Sequence, residues 1–163
     1  MTLEESLYPN SLVTDFTLQD IPWPGGREMF KWWDQARQKR LFPTRKDFSP
    51  LAVIPLLPAI QLIDVGGIKR PYSVRLIGTR ITEIIGFDPT GKELDDLPST
   101  ELVRTVYDWV VDNKKPVMRL NMPIRWGAKE FMVCSVLILP LGAGGDEVTM
   151  LMLHFHFGEL DKQ

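Results

Sequence analysis

The spacing of apolar residues changes along the chain, and each change marks an element. Residues 1–24 show little periodicity and hold Pro9, Pro22 and Pro24, so they read as an arm with a short extended piece at 12–18. From Arg27 to Leu41, Met29, Phe30, Trp33, Ala36 and Arg37 recur at helical spacing. Trp32 and Trp33 are adjacent and cannot share one narrow helical face, so one or both should cover something large and apolar. Phe30, Trp32 and Trp33 are therefore candidate interface residues. Pro50–Leu57 reads as a short helix. Ala59–Val65 and Tyr72–Ile77 read as strands joined through Gly66, Gly67 and Pro71. Gly78 breaks the second strand, Ile81, Ile84 and Ile85 make a short helical face, and Gly86 stops it as a left-handed residue does. Leu94–Leu97 suits a single helical turn. Ser99 is the expected N-cap of a helix over Thr100–Asn113, with Leu102, Val106, Trp109 and Val110 along one face. Val117–Arg125, Glu130–Leu141 and Glu147–Phe157 read as three closing strands.

Alternation sorts the residues of those strands onto two faces. Met118, Leu120, Met122, Ile124 and Trp126 share one face of the first. Pairing Trp126 with Lys129, and Leu141 with Val148, carries that face through Phe131, Val133, Ser135, Leu137 and Leu139 to Met150, Met152, His154 and His156. The opposite face, with Met132, Cys134, Val136, Ile138, Leu151, Leu153, Phe155 and Phe157, is apolar too. Both faces need a cover. The helix over Thr100–Asn113 supplies one; the tryptophan-bearing helix or a second subunit supplies the other. A one-residue slip would exchange the faces. Met118, Met122, Met150 and Met152 form an adaptable apolar cluster. With Ser135, His154 and Trp109 they make a candidate ligand pocket between the sheet and the Thr100–Asn113 helix. A packed core with no ligand explains the same residues.

Two short segments carry a family resemblance. In RLIGTRITEIIGFDPTGKELDDL the matching residues are Arg75, Leu76, Gly78, Thr79, Gly86, Asp88 and Gly91; upstream, PTRKDFSP runs from Pro43 to Pro50. The chain resembles the short, stand-alone bacterial PAS-domain proteins that carry P-x-R-x-D and R-L-x-G-T signatures. The resemblance implies an α+β fold, with a five-stranded antiparallel sheet, helices on one face and an N-terminal helical extension. It divides the chain into an arm at 1–26, the extension at 27–57, the PAS domain at 58–158 and a tail at 159–163. It also implies a non-enzymatic sensory or regulatory module, acting as a homodimer, that binds a small apolar or amphipathic molecule, a two-component signalling protein, or both. The alternative is a pure protein–protein interaction module with a filled core. Haem is disfavoured, because oxygen-sensing relatives place the axial histidine on the long helix and Thr100–Asn113 has none. A covalent flavin is disfavoured, because Cys134 lies mid-strand outside any reactive-cysteine helix motif.

Charge and composition narrow the function classes. One domain is expected from 163 residues. A net charge of −2 gives no reason to expect nucleic acid as a partner. A single cysteine, no basic leader ahead of an apolar run and no span-length apolar stretch point to a cytoplasmic protein rather than a secreted or membrane one. His154 and His156 form an H-x-H pair on one strand face, but no third histidine completes a metal site, so both read as core or rim residues. Arg75 and Arg80 are candidate grips for an acidic ligand, with pairing to Asp64, Asp88 or Glu83 as the structural alternative. Arg37, Lys39, Arg40, Arg45 and Lys46 form a basic cluster tempered by Asp34 and Asp47. No nucleophile with its base and no phosphate loop is visible, so no catalytic residue is assigned.

Overall fold

The computed structural model describes residues 12–97, 100–124 and 132–159. Two-residue strand β1 (Leu12–Val13) leads to helix α1 (Pro24–Arg37) and then to strands β2 (Ile60–Val65) and β3 (Tyr72–Ile77). Helices α2 (Thr79–Ile85) and α3 (Glu101–Asn113) follow, and β4 (Val117–Pro123), β5 (Met132–Gly142) and β6 (Val148–Glu159) close the chain. The six strands form one antiparallel sheet in the order β1-β4-β5-β6-β2-β3. The expected sheet is there, widened by β1, which pairs Leu12 with Arg119 and Val13 with Met118. A two-residue strand is too short for alternation to reveal.

The local rules explain the helix ends. Pro24 opens α1 at a position where its missing N–H costs nothing. Gly25 and Gly26 therefore sit inside the first turn instead of handing over to a helix at Arg27. Gly25 is needed there: a Cβ on it would stand 2.4 Å from Cε1 of His154. Gly86 caps α2 at φ +87°, as its position in the sequence requires. Thr100, not Ser99, is the N-cap residue of α3, and its hydroxyl donates to the Leu94 carbonyl at 3.0 Å; Ser99 lies outside the described residues. Pro50–Ala59 is a 3-10 helix kinked at Val53, with Pro55 and Pro58 inside it.

The Pro43–Pro50 segment works as a structural joint. Asp47 accepts from the Thr44 backbone N–H at 2.8 Å and from Arg40 at 2.9 Å. Those bonds, the backbone one foremost, hold its carboxyl below the usual range. Pro43 accepts from the Gly142 backbone N–H at 2.9 Å, and a Cβ on Gly142 would meet the Phe42 ring at 2.4 Å. The joint thus pins the chain after α1 to the end of β5.

Register decides which residues share a face. In β5 and β6, Leu137 pairs with His154, Leu139 with Met152 and Leu141 with Met150. The last pairing is displaced two residues from Leu141–Val148. An even displacement keeps the expected faces. Near its start β4 follows the expected register, with Met118 opposite Leu137. A bulge then intervenes at Asn121, whose φ is +54° and whose N–H donates to Ser135 Oγ at 2.9 Å. Beyond it Met122 pairs with Cys134, so Met122 crosses to the opposite face from Met118. The Trp126–Lys129 pairing and Phe131 lie outside the described residues.

The N-terminal segment covers the Met118–Leu137–His154 face. Ile21, Trp23, Met29 and Trp33 are all buried in the main core with Met118, Leu137, Met150 and Met152. Helices α2 and α3 cover the other face. Tyr72, which shares that face with Val65 and Ile63 through the β2–β3 register, meets Tyr107 of α3 edge-on at 5.3 Å. The helices therefore lie on both faces of the sheet.

Candidate functional site

The expected pocket is divided between the two faces. Ser135, Met118, Met150, Met152 and His154 do share a face, but it is the one under α1. They do not line a space between the sheet and α3. Alternation groups these residues correctly; it carries no information about which helix lands on the group. Met122 leaves the group because of the Asn121 bulge. Arg75 is the unpaired residue at the β2–β3 register shift; its side chain is 69% exposed and points toward Asp64 at 4.0 Å, away from the α2–α3 side.

On the α1 face, His154 is committed to packing. The Trp23 indole N–H donates to its Nδ1 at 3.0 Å within the core. The imidazole therefore carries its proton on Nε2. Trp23 also lies nearly parallel to both histidine rings, at 6.4 Å from His154 and 6.0 Å from His156. Burial, and then the neighbouring His156, push the His154 pKa down to about 4. With Nδ1 taken by Trp23, the H-x-H pair is not arranged as a chelate. Among the described residues no group of His, Cys, Asp or Glu side chains is placed to hold a metal ion.

The candidate interface residues are also used within the chain. Trp33 is 5% exposed and donates its indole N–H to the Pro140 carbonyl at 2.9 Å. It belongs to the core and is removed from the interface set. Phe30 packs on Phe16 and Trp33, each at 5.8 Å, and Trp32 meets Phe48 edge-on at 5.3 Å. Both are half-buried.

A break in the apolar packing lies on the opposite face. Two separate apolar clusters meet there. α3 contributes Val106, Tyr107 and Val110 to the main core, above Val136, Ile138, Leu151 and Leu153. α2 contributes Ile84 to a smaller cluster with Met122, Ile124 and Cys134. Between them on β6 stand Phe155, which packs on the first cluster, and Phe157, which packs on the second. Their rings are parallel within 5° at 5.9 Å, and both are half-buried on a face whose other strand residues are mostly buried. The Arg80 guanidinium lies 5.9 Å from the Phe157 ring. This seam between α2 and α3 takes Arg80 and Met122 from the expected set; Trp109 is half-buried against the main core on α3. Phe155 and Phe157 were missed as site residues. Their alternation was legible, but a stranded pair of apolar residues looks the same whether a helix covers it or stops short of it.

A polar clasp fixes the far end of α3. Tyr72 donates to Asp108 at 2.5 Å, and Arg70 pairs with Asp112. Arg104 lies 5.1 Å from the Tyr72 ring, pairs with Asp95 at 2.9 Å and donates to the Arg70 carbonyl at 3.1 Å. Burial first, then the bond to Asp108, push the Tyr72 phenol well above its ordinary range.

An antiparallel sheet with a β-β-α-α-β-β-β order, and short and long helices crossing one face, defines a PAS-type α+β domain. The chain belongs to the PAS domain family, whose model matches residues 23–153. The PAS domain of histidine kinase ThkA is 21% identical, with a TM-score of 0.45, covering 60% of this chain and 95% of that one. A selenomethionine variant of the same domain is 20% identical, with a TM-score of 0.46, covering 60% and 96%. An RNA-binding Light-Oxygen-Voltage receptor is 15% identical with a TM-score of 0.47; the match covers 70% of this chain but 36% of that one. No curated protein matches the chain. Among the described residues no helix is long and apolar enough to cross a membrane.

Proposed function

We propose that this protein is a regulatory PAS module that binds a small molecule in the seam between α2 and α3. It acts without catalysis, passing occupancy on to a signalling partner. The observation that supports this reading is the break between the two apolar clusters, with two half-buried phenyl rings at the break. A ligand there would bridge α2 to α3 and so change how the two helices sit. His154, the one histidine in the core, is bonded to Trp23 on the opposite face of the sheet and takes no part in the seam. Family membership supports a sensory role and does not name the ligand or the partner.

The test is native mass spectrometry of the purified protein beside the same sample after denaturation. An added mass that is lost on denaturation is expected. A bare chain mass that stays bare when a small-molecule library is added, with no rise in melting temperature, would sink the reading.

One observation favours an interaction surface as well. Leu51 is 80% exposed and Ile54 55% exposed on the proline-rich 3-10 segment. A homodimer, or a docked two-component protein, has an apolar surface to use there. Sedimentation of the wild type and of Leu51→Asp/Ile54→Asp reads this directly: a mass that falls with the substitution supports self-association.

A further inference from the structure

Resting on the reading of the α2–α3 seam as a ligand site, we infer that its ligand is a flat aromatic or amphipathic molecule carrying an acidic group. The apolar half of that description comes from the lining. Phe155 and Phe157 stand parallel at 5.9 Å, flanked by Met122, Met132 and Cys134. Aromatic rings with polarizable sulfur beside them favour another π system over a branched aliphatic one.

The acidic half comes from Arg80. It is exposed, and its guanidinium lies 5.9 Å from the Phe157 ring. Other arginines of the fold have partners inside the protein: Arg27 the Ile21 carbonyl, Arg37 Asp34, Arg40 Asp47, Arg70 Asp112, Arg104 Asp95, and Arg119, on the same face as the seam, the Met122 sulfur at 3.7 Å. Arg80 has no acceptor oxygen among the described residues. A solvent-exposed guanidinium over a ring gains little from the ring itself. Its forked N–H donors remain available for a planar two-oxygen group. An acid held by Arg80, with its ring system against Phe155 and Phe157, satisfies both halves at once. The opposite choice, a cationic ligand, would meet Arg80 head-on.

The test uses two dyes of similar aromatic body, anionic anilinonaphthalene sulfonate and neutral phenylnaphthylamine, titrated into the folded full chain and followed by fluorescence. Arg80→Gln is exposed and leaves the core untouched. It is expected to weaken the sulfonate roughly tenfold and leave the neutral dye within about twofold. Phe155→Leu is expected to weaken both. If the neutral dye binds through Phe155 while Arg80→Gln leaves the sulfonate unchanged, Arg80 does not hold an acid, the inference falls and the site stands. If Arg80→Gln acts but Phe155→Leu does not, the dye lies elsewhere and the inference falls. If neither dye binds, the seam is not a ligand site, and both readings fall.

Discussion

Protonating His154 would turn its Nδ1 from acceptor to donor and set it against the Trp23 N–H. The consequence for stability has a definite sign. The folded state holds the pKa near 4, while the unfolded chain titrates near 6.5. As pH falls through 6.5 the unfolded chain takes up the proton first. Stability is therefore complete above that value, declines on the way down to about 4, and loses nothing further from this group below it. The shift corresponds to about 3 kcal/mol. Urea melts at several pH values should show that decline in the wild type. His154→Gln keeps an acceptor for Trp23 without a titrating ring, and the decline should largely vanish. The residue was legible as a core histidine. Its tryptophan partner was not, because Trp23 and His154 are brought together only by the docking of the N-terminal segment.

The element that the clasp serves is α3. Surface ion pairs such as Arg70–Asp112 contribute little singly. The bond from the Tyr72 hydroxyl to Asp108 is partly buried, and it ties β3 to the helix. Tyr72→Phe keeps the ring contact with Tyr107 and removes only that bond. It should cost about 1–2 kcal/mol in a denaturant melt, and hydrogen exchange should speed up in α3 ahead of the sheet. Strands β2 to β6, the α2 stop at Gly86 and the span of α3 were readable from periodicity and breakers. Two kinds of feature were not, or not fully. The bulge was legible only in part: Pro123 interrupts the strand face and suggests a bulge or an unpaired edge, but nothing local places the left-handed residue at Asn121. The start of α1 was hidden because Gly25 and Gly26 look like a linker until His154 is placed beneath them.

For the molecule as a whole, the N-terminal segment belongs to the core. Ile21, Trp23, Met29 and Trp33 are each 5% exposed or less. Side chains of this size contribute about 1.5–3 kcal/mol apiece on burial. Together they approach the ~5–15 kcal/mol of net stability typical of a domain. A chain lacking the residues through Ala59 should therefore fail to hold a cooperative fold, seen as loss of a sharp thermal transition. A stable, monomeric truncated sheet would refute this.

The sequence by itself determined the order of the elements, the family, and which residues of β5 and β6 lie together on a face, because these follow from local periodicity, breakers and the pleat. The tertiary structure decided which face each helix covers, where the sheet bulges, and where a helix stops short of an apolar pair. Those outcomes depend on connections and close approaches between residues far apart in the chain. Both faces of the sheet are equally apolar, so nothing local could choose between them.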